Sequence, residues 1–270
     1  MMKKLILFFT FITHLFCASV SNGELEIITI DANFAKNLTI NDKFTPWLKH
    51  HTKPGFMIAF IPVDYNASGV VSIKNTINDT VGHTEFIISK KDYKTEDITS
   101  IINKFRIDDK TAELIKKEKI NMQKIYNTLS RDIYFDSNFI EPLNSFVTSE
   151  FGSIRVANGS FNHYHNGMDF RAKVGQKVIS SNSGIVRVEN FKYDSGYSVV
   201  IDHGGGIYTQ YFHLSKVFVK PGIKLAKGDV LGLSGASGMV SGSHLHFGVV
   251  VNGVQVNPSV FIEKTDNLFN

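Results

Sequence analysis

Through the first third of the chain, apolar positions come in short bursts of the kind strands make. Leu25-Glu26-Ile27-Ile28-Thr29-Ile30 alternates in part, and Phe56 to Ile61 is an unbroken apolar run opened by Pro54-Gly55. Val70 to Ile73 and Thr84 to Ile88 complete the set, and together they predict a small β-sandwich carrying no chemical motif. The period changes between about residues 96 and 131. Leu114, Ile115, Met122, Ile125, Tyr126 and Leu129 fall mostly on one helical face, and Lys116, Lys117, Lys119 and Lys124 lie largely elsewhere, as on a solvated face. From about residue 140 to 262 turn signals recur at short spacing, from Ser183-Gly184 and Gly204-Gly205-Gly206 to Pro221-Gly222 and Asn252-Gly253. Strand runs such as Tyr197 to Ile201 and Val249 to Val251 lie between them, and Asn252-Gly253 flanked by valines predicts a two-residue hairpin. Gly232 to Gly242 lacks the Gly-Lys-Ser/Thr ending of a phosphate loop, so it is read as a loop that shapes a site.

The expected fold is therefore mostly β: a small β-rich N-terminal domain over 20–95, a helical connector over 96–139, an antiparallel β-sheet domain over 140–262, and a tail over 263–270. Residues 1–19 read as an export signal. Lys3 and Lys4 give a positive start, Leu5 to Ile12 an apolar run, and Cys17-Ala18-Ser19 the small residues of a cleavage site. The run is too short for a bilayer, which needs roughly 20 apolar residues, so no stable membrane span is expected in the mature chain. A lipoprotein would use Cys17, but bulky His14-Leu15-Phe16 precedes it where such sites resemble Leu followed by small residues. As the sole cysteine it also rules out an intrachain disulfide. The formal charge of +4 falls to +2 without Lys3 and Lys4, and no basic stripe is present, so nucleic acid is not an expected partner.

Six of the ten histidines fall between residues 163 and 246, which places the candidate chemistry in the C-terminal half. In His244-Leu245-His246-Phe247 the two imidazoles share one face of a strand, and Leu245 and Phe247 point to the core. His165-Asn166-Gly167-Met168-Asp169 sets an imidazole and a carboxylate four residues apart, with Gly167 free to turn the backbone between them. His213 sits in the strand-like run Tyr211-Phe212-His213-Leu214 and needs a polar partner if buried. The bland alternatives are a turn with a capping Asp169 and two histidines that coincide on a polar face. His163 and His203 read as hydrogen-bonded structural residues, and His50, His51 and His83 as ordinary surface or turn histidines.

Taken together, these pieces resemble the lysostaphin/LytM-type zinc endopeptidases, peptidase family M23, over about 120 residues. Val147-Thr148-Ser149-Glu150-Phe151-Gly152 is similar to the opening of that domain. His165-x-x-x-Asp169 resembles its first metal motif and His244-x-His246 its second, with Tyr211 to Leu214, Pro221-Gly222 and Asn257-Pro258 in the family's order. The resemblance implies that His165, Asp169 and His246 bind Zn2+, while His213 and His244 stand beside the ion as catalytic groups. A catalytic zinc with three protein ligands and one open position agrees with that division. It further implies peptidoglycan stem peptides or cross-bridges as substrate, with endopeptidase and carboxypeptidase action both open. The Lys-, Asn-, Ile- and Phe-rich chain with its short signal resembles a low-GC Gram-negative protein, which favours a secreted, periplasmic or envelope-associated protein and a D-Ala–diaminopimelate cross-link over a polyglycine bridge or shortened peptides. The rival is a non-catalytic LytM-like domain that binds the wall or activates an amidase, but such members typically lack ligands that are present here. A structural zinc site would use four protein ligands, often cysteines. The N-terminal region is expected to dock on the wall or, by way of the helical connector, to cover the zinc groove.

Overall fold

The structure, a computed structural model, describes residues 18–77, 80–105, 107–130 and 132–269. The expected signal segment, including Cys17, lies outside the described residues except for Ala18 and Ser19. Description begins where Ser19–Ser21 runs parallel to Thr80–Ser89 at the edge of a five-stranded sheet that also holds Val70–Ile77, Asn37–Ile40 and Lys43–Thr45. A second sheet of Leu25–Asp31, Phe56–Pro62 and Leu48–Lys49 lies against it. Leu38, Ile40, Val71, Ile73 and Phe86 from the first meet Ala59 and Ile61 from the second in one core, which makes the N-terminal part a sandwich.

The second sheet is buried on both faces. Its other side presents Leu25, Leu48, Ile58 and Phe60 to Phe135, Phe139, Val256, Phe261 and Leu268 in the main core. The two halves of the chain are thus fused through continuous apolar packing. The unbroken apolar run of Phe56–Pro62 has its physical reason there, since neither side of that strand faces water. Polar ties reinforce the junction, including Lys264 to Glu26 at 2.5 Å and Asn257 N to the Gly23 carbonyl at 2.8 Å. Residues 263–269, read in the sequence as a tail, form the end of α3 (Pro258–Phe269), where Phe261 and Leu268 are buried.

The C-terminal half is built on an eight-stranded antiparallel sheet. Its central order runs Val147–Ser149, Met168–Arg171, His244–Val251, Ile207–Leu214, Gly196–Gly204 and Gly184–Lys192. Met168, Phe170, Leu245, Phe247, Val249 and Tyr211 point into the main core from one face. The other face carries Asp169, His244, His246 and Phe212, then Tyr208 and Val250 further along. Between the halves run α1 (Thr99–Lys104) and α2 (Asp109–Tyr126), the latter capped by Asp108 accepting from Thr111 N. Met122 and Tyr126 of α2 pack on Val188, Val200, Tyr208 and Val250 of that second face. Of the apolar positions the sequence put mostly on one face of this helix, Leu114 is exposed because only the C-terminal half of α2 lies on the sheet, and Leu129 is exposed beyond the helix end.

Candidate metal centre

All five predicted site residues converge at one end of this sheet. Asp169 and His246 are direct cross-strand partners, and Phe212 flanks His246 on its other side. His165 precedes the Met168–Arg171 strand and is held by backbone bonds in both directions, from Gly152 N to its carbonyl and from its N to Ser153 O. His165 Nε2, His246 Nδ1 and Asp169 Oδ1 lie 3.0 Å from one another in each pairing. Zinc bonds of 2.0–2.2 Å in a tetrahedron separate ligand atoms by about 3.3 Å, so the three occupy three corners of such a site. Among the described residues, these three form the group whose ligand atoms lie close enough together to hold a metal ion. The donor set of two imidazoles and one carboxylate also suits zinc, and these residues fit the ion.

Tautomers follow from the surroundings. His165 Nδ1 donates to the Glu150 carbonyl at 3.0 Å, which leaves Nε2 as a lone pair aimed at the centre. His213 Nδ1 donates to the Ser237 carbonyl at 2.9 Å and His244 Nδ1 to the Gly242 carbonyl at 3.0 Å. Each therefore offers Nε2 to the cavity, and their rings lie 4.8 Å apart, with His244 Nε2 3.8 Å from Asp169 Oδ1. Both carbonyls belong to the glycine-rich loop after Leu233, so that loop does shape the site. Burial pushes His246 down to about 4, against the pull of Asp169, and keeps it neutral, the state in which an imidazole can bind a metal. Burial works to raise the Asp169 pKa, but the two imidazoles outweigh it and hold the carboxylate ionised, well below its ordinary range.

Two backbone features support the centre. His213 has a left-handed φ of 62°, a conformation a non-glycine residue adopts at a cost and one that collects at functional sites. The chain bends at Gly167, as the sequence suggested, without a positive φ. A Cβ there would stand 2.5 Å from the Phe247 carbonyl oxygen and 2.6 Å from His246 Nε2, so the close approach of the two strands requires a glycine. Of the remaining histidines, His203 is structural as expected: fully buried, with Nδ1 to Ser183 O at 2.8 Å and Nε2 to Thr209 Oγ1 at 2.7 Å. Burial lowers its pKa to about 4, against the Ser183 hydrogen bond. The unfolded chain therefore takes up a proton near pH 6.5 that the fold refuses. Stability should fall by about 3 kcal/mol between roughly pH 6.5 and 4 from this residue alone. His203→Gln should start less stable at pH 7 yet lose less on acidification; equal losses in melting temperature would clear His203 of the effect. His163 lies on the exposed Ser160–Tyr164 strand and bonds to Asn162, and His51 packs between Phe135 and Phe269.

A cavity of about 350 Å³ opens over the cluster, lined by Asp169, His213, His244 and His246 on the sheet side. The opposing wall was not evident in the sequence: it is Glu96, Asp97, Ile98 and Ile101 of the connector. The Thr95–Asp97 strand runs parallel to Ile154–Ala157, and Lys104 Nζ reaches the Val240 carbonyl at 3.3 Å. Arg155 and Ser149 also line the cavity, and sequence reasoning gave neither a role. Arg155 Nη2 lies 3.0 Å from Asp169 Oδ2, while Ser149 Oγ lies 3.1 Å from His165 Nδ1 and 2.9 Å from each Glu96 carboxylate oxygen.

Known proteins share sequence with this part of the chain. Residues 163–258 match the model of peptidase family M23, as the sequence resemblance implied. Over 94 residues the chain is 46% identical to the peptidoglycan DD-endopeptidase ShyA of Vibrio cholerae, a match covering 34% of this chain and 22% of that protein. It is 36% identical over 94 residues to the DD-carboxypeptidase/endopeptidase Mpg of Neisseria meningitidis, covering 35% and 22%. The matched region thus spans about a fifth of the length of these curated relatives. A crystal structure of a putative peptidase M23 from Pseudomonas aeruginosa shares the fold at a TM-score of 0.68 and 21% identity, over 87% of this chain and 92% of that one.

Proposed function

We propose, on the premise that residues 163–258 form an M23 peptidase domain, that this chain is a zinc-dependent hydrolase of peptidoglycan stem-peptide cross-links. The observation that carries the reading is the geometry of the five residues: three ligand atoms converge, and two histidines beside them aim free Nε2 atoms into the same cavity. His165, Asp169 and His246 would hold Zn2+, which supplies Lewis acidity to polarise a scissile carbonyl and ease the deprotonation of water. His213 and His244 accept the proton of the attacking water and return it to the leaving amine, or donate to the oxygen that gains charge. Their Nδ1 bonds to backbone carbonyls fix them in orientation for this work. The names of the relatives support DD-endopeptidase action on peptidoglycan, with carboxypeptidase action in the same site, and the D-Ala–diaminopimelate cross-link is the bond proposed here. Such a substrate places the protein outside the cytoplasm, in the periplasm or cell envelope. No described helix is long and apolar enough to cross a membrane.

The connector holds the enzyme latent. Thr95–Asp97 and α1 wall the cavity, and α2 covers the continuation of the metal-bearing face. The occluding element is thus the connector, with the sandwich as its anchor. Point substitution is the suitable test, because a chain beginning near residue 136 would bare Phe139, Val256 and Phe261 of the shared core. Purified peptidoglycan is digested by the zinc-loaded mature chain and by Ile98→Ala/Ile101→Ala, with and without chelator, and the products are identified by mass spectrometry. Chelator-sensitive loss of cross-linked dimers, faster with the variant, is the expected result. Absence of fragments from either protein would replace the hydrolase reading with a binding or activating role. Equal rates would remove the latency.

A further inference from the structure

Glu96 comes from the connector, but everything that holds its carboxylate belongs to the C-terminal half. Ser149 Oγ is 2.9 Å from both carboxylate oxygens, and Arg155 Nε is 3.6 Å from Oε2. Both partners are fixed independently of Glu96. Arg155 Nη2 is tied to Asp169 Oδ2 at 3.0 Å and to Ser149 Oγ at 3.3 Å, and Ser149 leans on His165 Nδ1. The guanidinium is largely buried, with 19% of its side chain exposed, and its Nε is a buried donor with no hydrogen-bond partner among the described residues. At 3.6 Å Glu96 attracts that donor without bonding to it. The fork is therefore incompletely filled.

We infer that Arg155 and Ser149 form a carboxylate subsite for an acidic peptide substrate, and that Glu96 fills it as an internal stand-in while the connector is in place. The inference rests on the peptidase reading and names a chemical feature of the substrate. An Arg fork beside a hydroxyl suits planar carboxylates, which it binds through paired N–H donors. When Thr95–Asp97 leaves its place beside Ile154–Ala157, Arg155 and Ser149 stay on the cavity wall next to the Asp169 ligand. A buried cation that loses one of its two carboxylate neighbours carries an electrostatic cost, which a substrate carboxylate reaching Nε at bonding distance removes. An acidic peptide would then compete with Glu96 for the subsite, so binding itself favours the open connector.

The test reads an affinity ratio in the full zinc-loaded chain. A fluorescent N-acylated D-Ala–D-Ala peptide is titrated as the free acid and as the C-terminal carboxamide. Glu96→Ala should bind the acid about tenfold more tightly than the amide, the scale of one charge-assisted contact. Glu96→Gln, which keeps the shape and loses the charge, should show the same preference more weakly. The native chain should show little preference, and Glu96→Ala/Arg155→Gln none. Because Arg155 also touches Asp169, the acid-to-amide ratio is read rather than absolute affinity, with zinc content measured in each variant. Absence of an acid preference in Glu96→Ala, or one that survives loss of Arg155, overturns the subsite. Hydrolysis of both peptides is followed in parallel. Acid preference without turnover keeps the subsite and counts against the peptidase reading; turnover without acid preference does the reverse.

Discussion

His246→Ala should leave the fold standing and the protein without zinc. Three atoms, His165 Nε2, Asp169 Oδ1 and His246 Nδ1, define the centre, and removing one leaves two ligands and an opening where water enters. Losing an outer-shell partner alone typically costs roughly 10–100-fold in metal affinity, so losing a ligand should cost more than about 100-fold. Peptidoglycan cleavage should fall to background. The imidazole stacks on Phe212 at 5.3 Å, on the face of the sheet opposite the main core, so the packing loss is local. Zinc per chain after dialysis, read beside the melting temperature, checks the expectation. Stoichiometric zinc in a folded His246→Ala protein would remove His246 from the ligand set.

The opposite pattern is expected at His213. Replacing it should spare most of the zinc and lower kcat by about 10²–10³-fold, the usual worth of a positioned acid–base or oxyanion group. Asn is the informative replacement, because it tolerates the left-handed φ of 62° at this position better than Ala. Burial, followed by the neighbouring His244 and His246, pushes the His213 pKa down to about 3, so the ring meets the substrate neutral with Nε2 free. An unchanged KM alongside the fall in kcat would mark an interaction made only in the transition state. Undiminished turnover in His213→Asn would withdraw the assignment.

How far this site could be read in advance depended on the kind of signal each residue leaves. His244 and His246 were legible because a strand's period of two puts them on one face, and the structure has them there beside Asp169. Arg155, Ser149 and Glu96 left no such trace. Glu96 reaches Ser149 across 53 positions only because Thr95–Asp97 adds to Ile154–Ala157 as a parallel strand, and no local pattern encodes that pairing. Short strands such as Asn37–Ile40 and Lys43–Thr45 were missed for want of an apolar run. The double burial of the Phe56–Pro62 sheet had a visible cause, its continuous apolar stretch, but what covered the second face did not. Only the assembled core reveals that partner.

That doubly buried sheet bears on how the latent form could be switched on by a protease. A cut between α1 and α2 would free the strand and helix that wall the cavity from the rest of the connector. It would not release the N-terminal piece, which remains clamped through Leu25, Leu48, Ile58 and Phe60. The nicked protein would run as two bands on a denaturing gel and as a single species on a sizing column. Activation by cleavage would then be invisible to any assay that looks for a smaller particle.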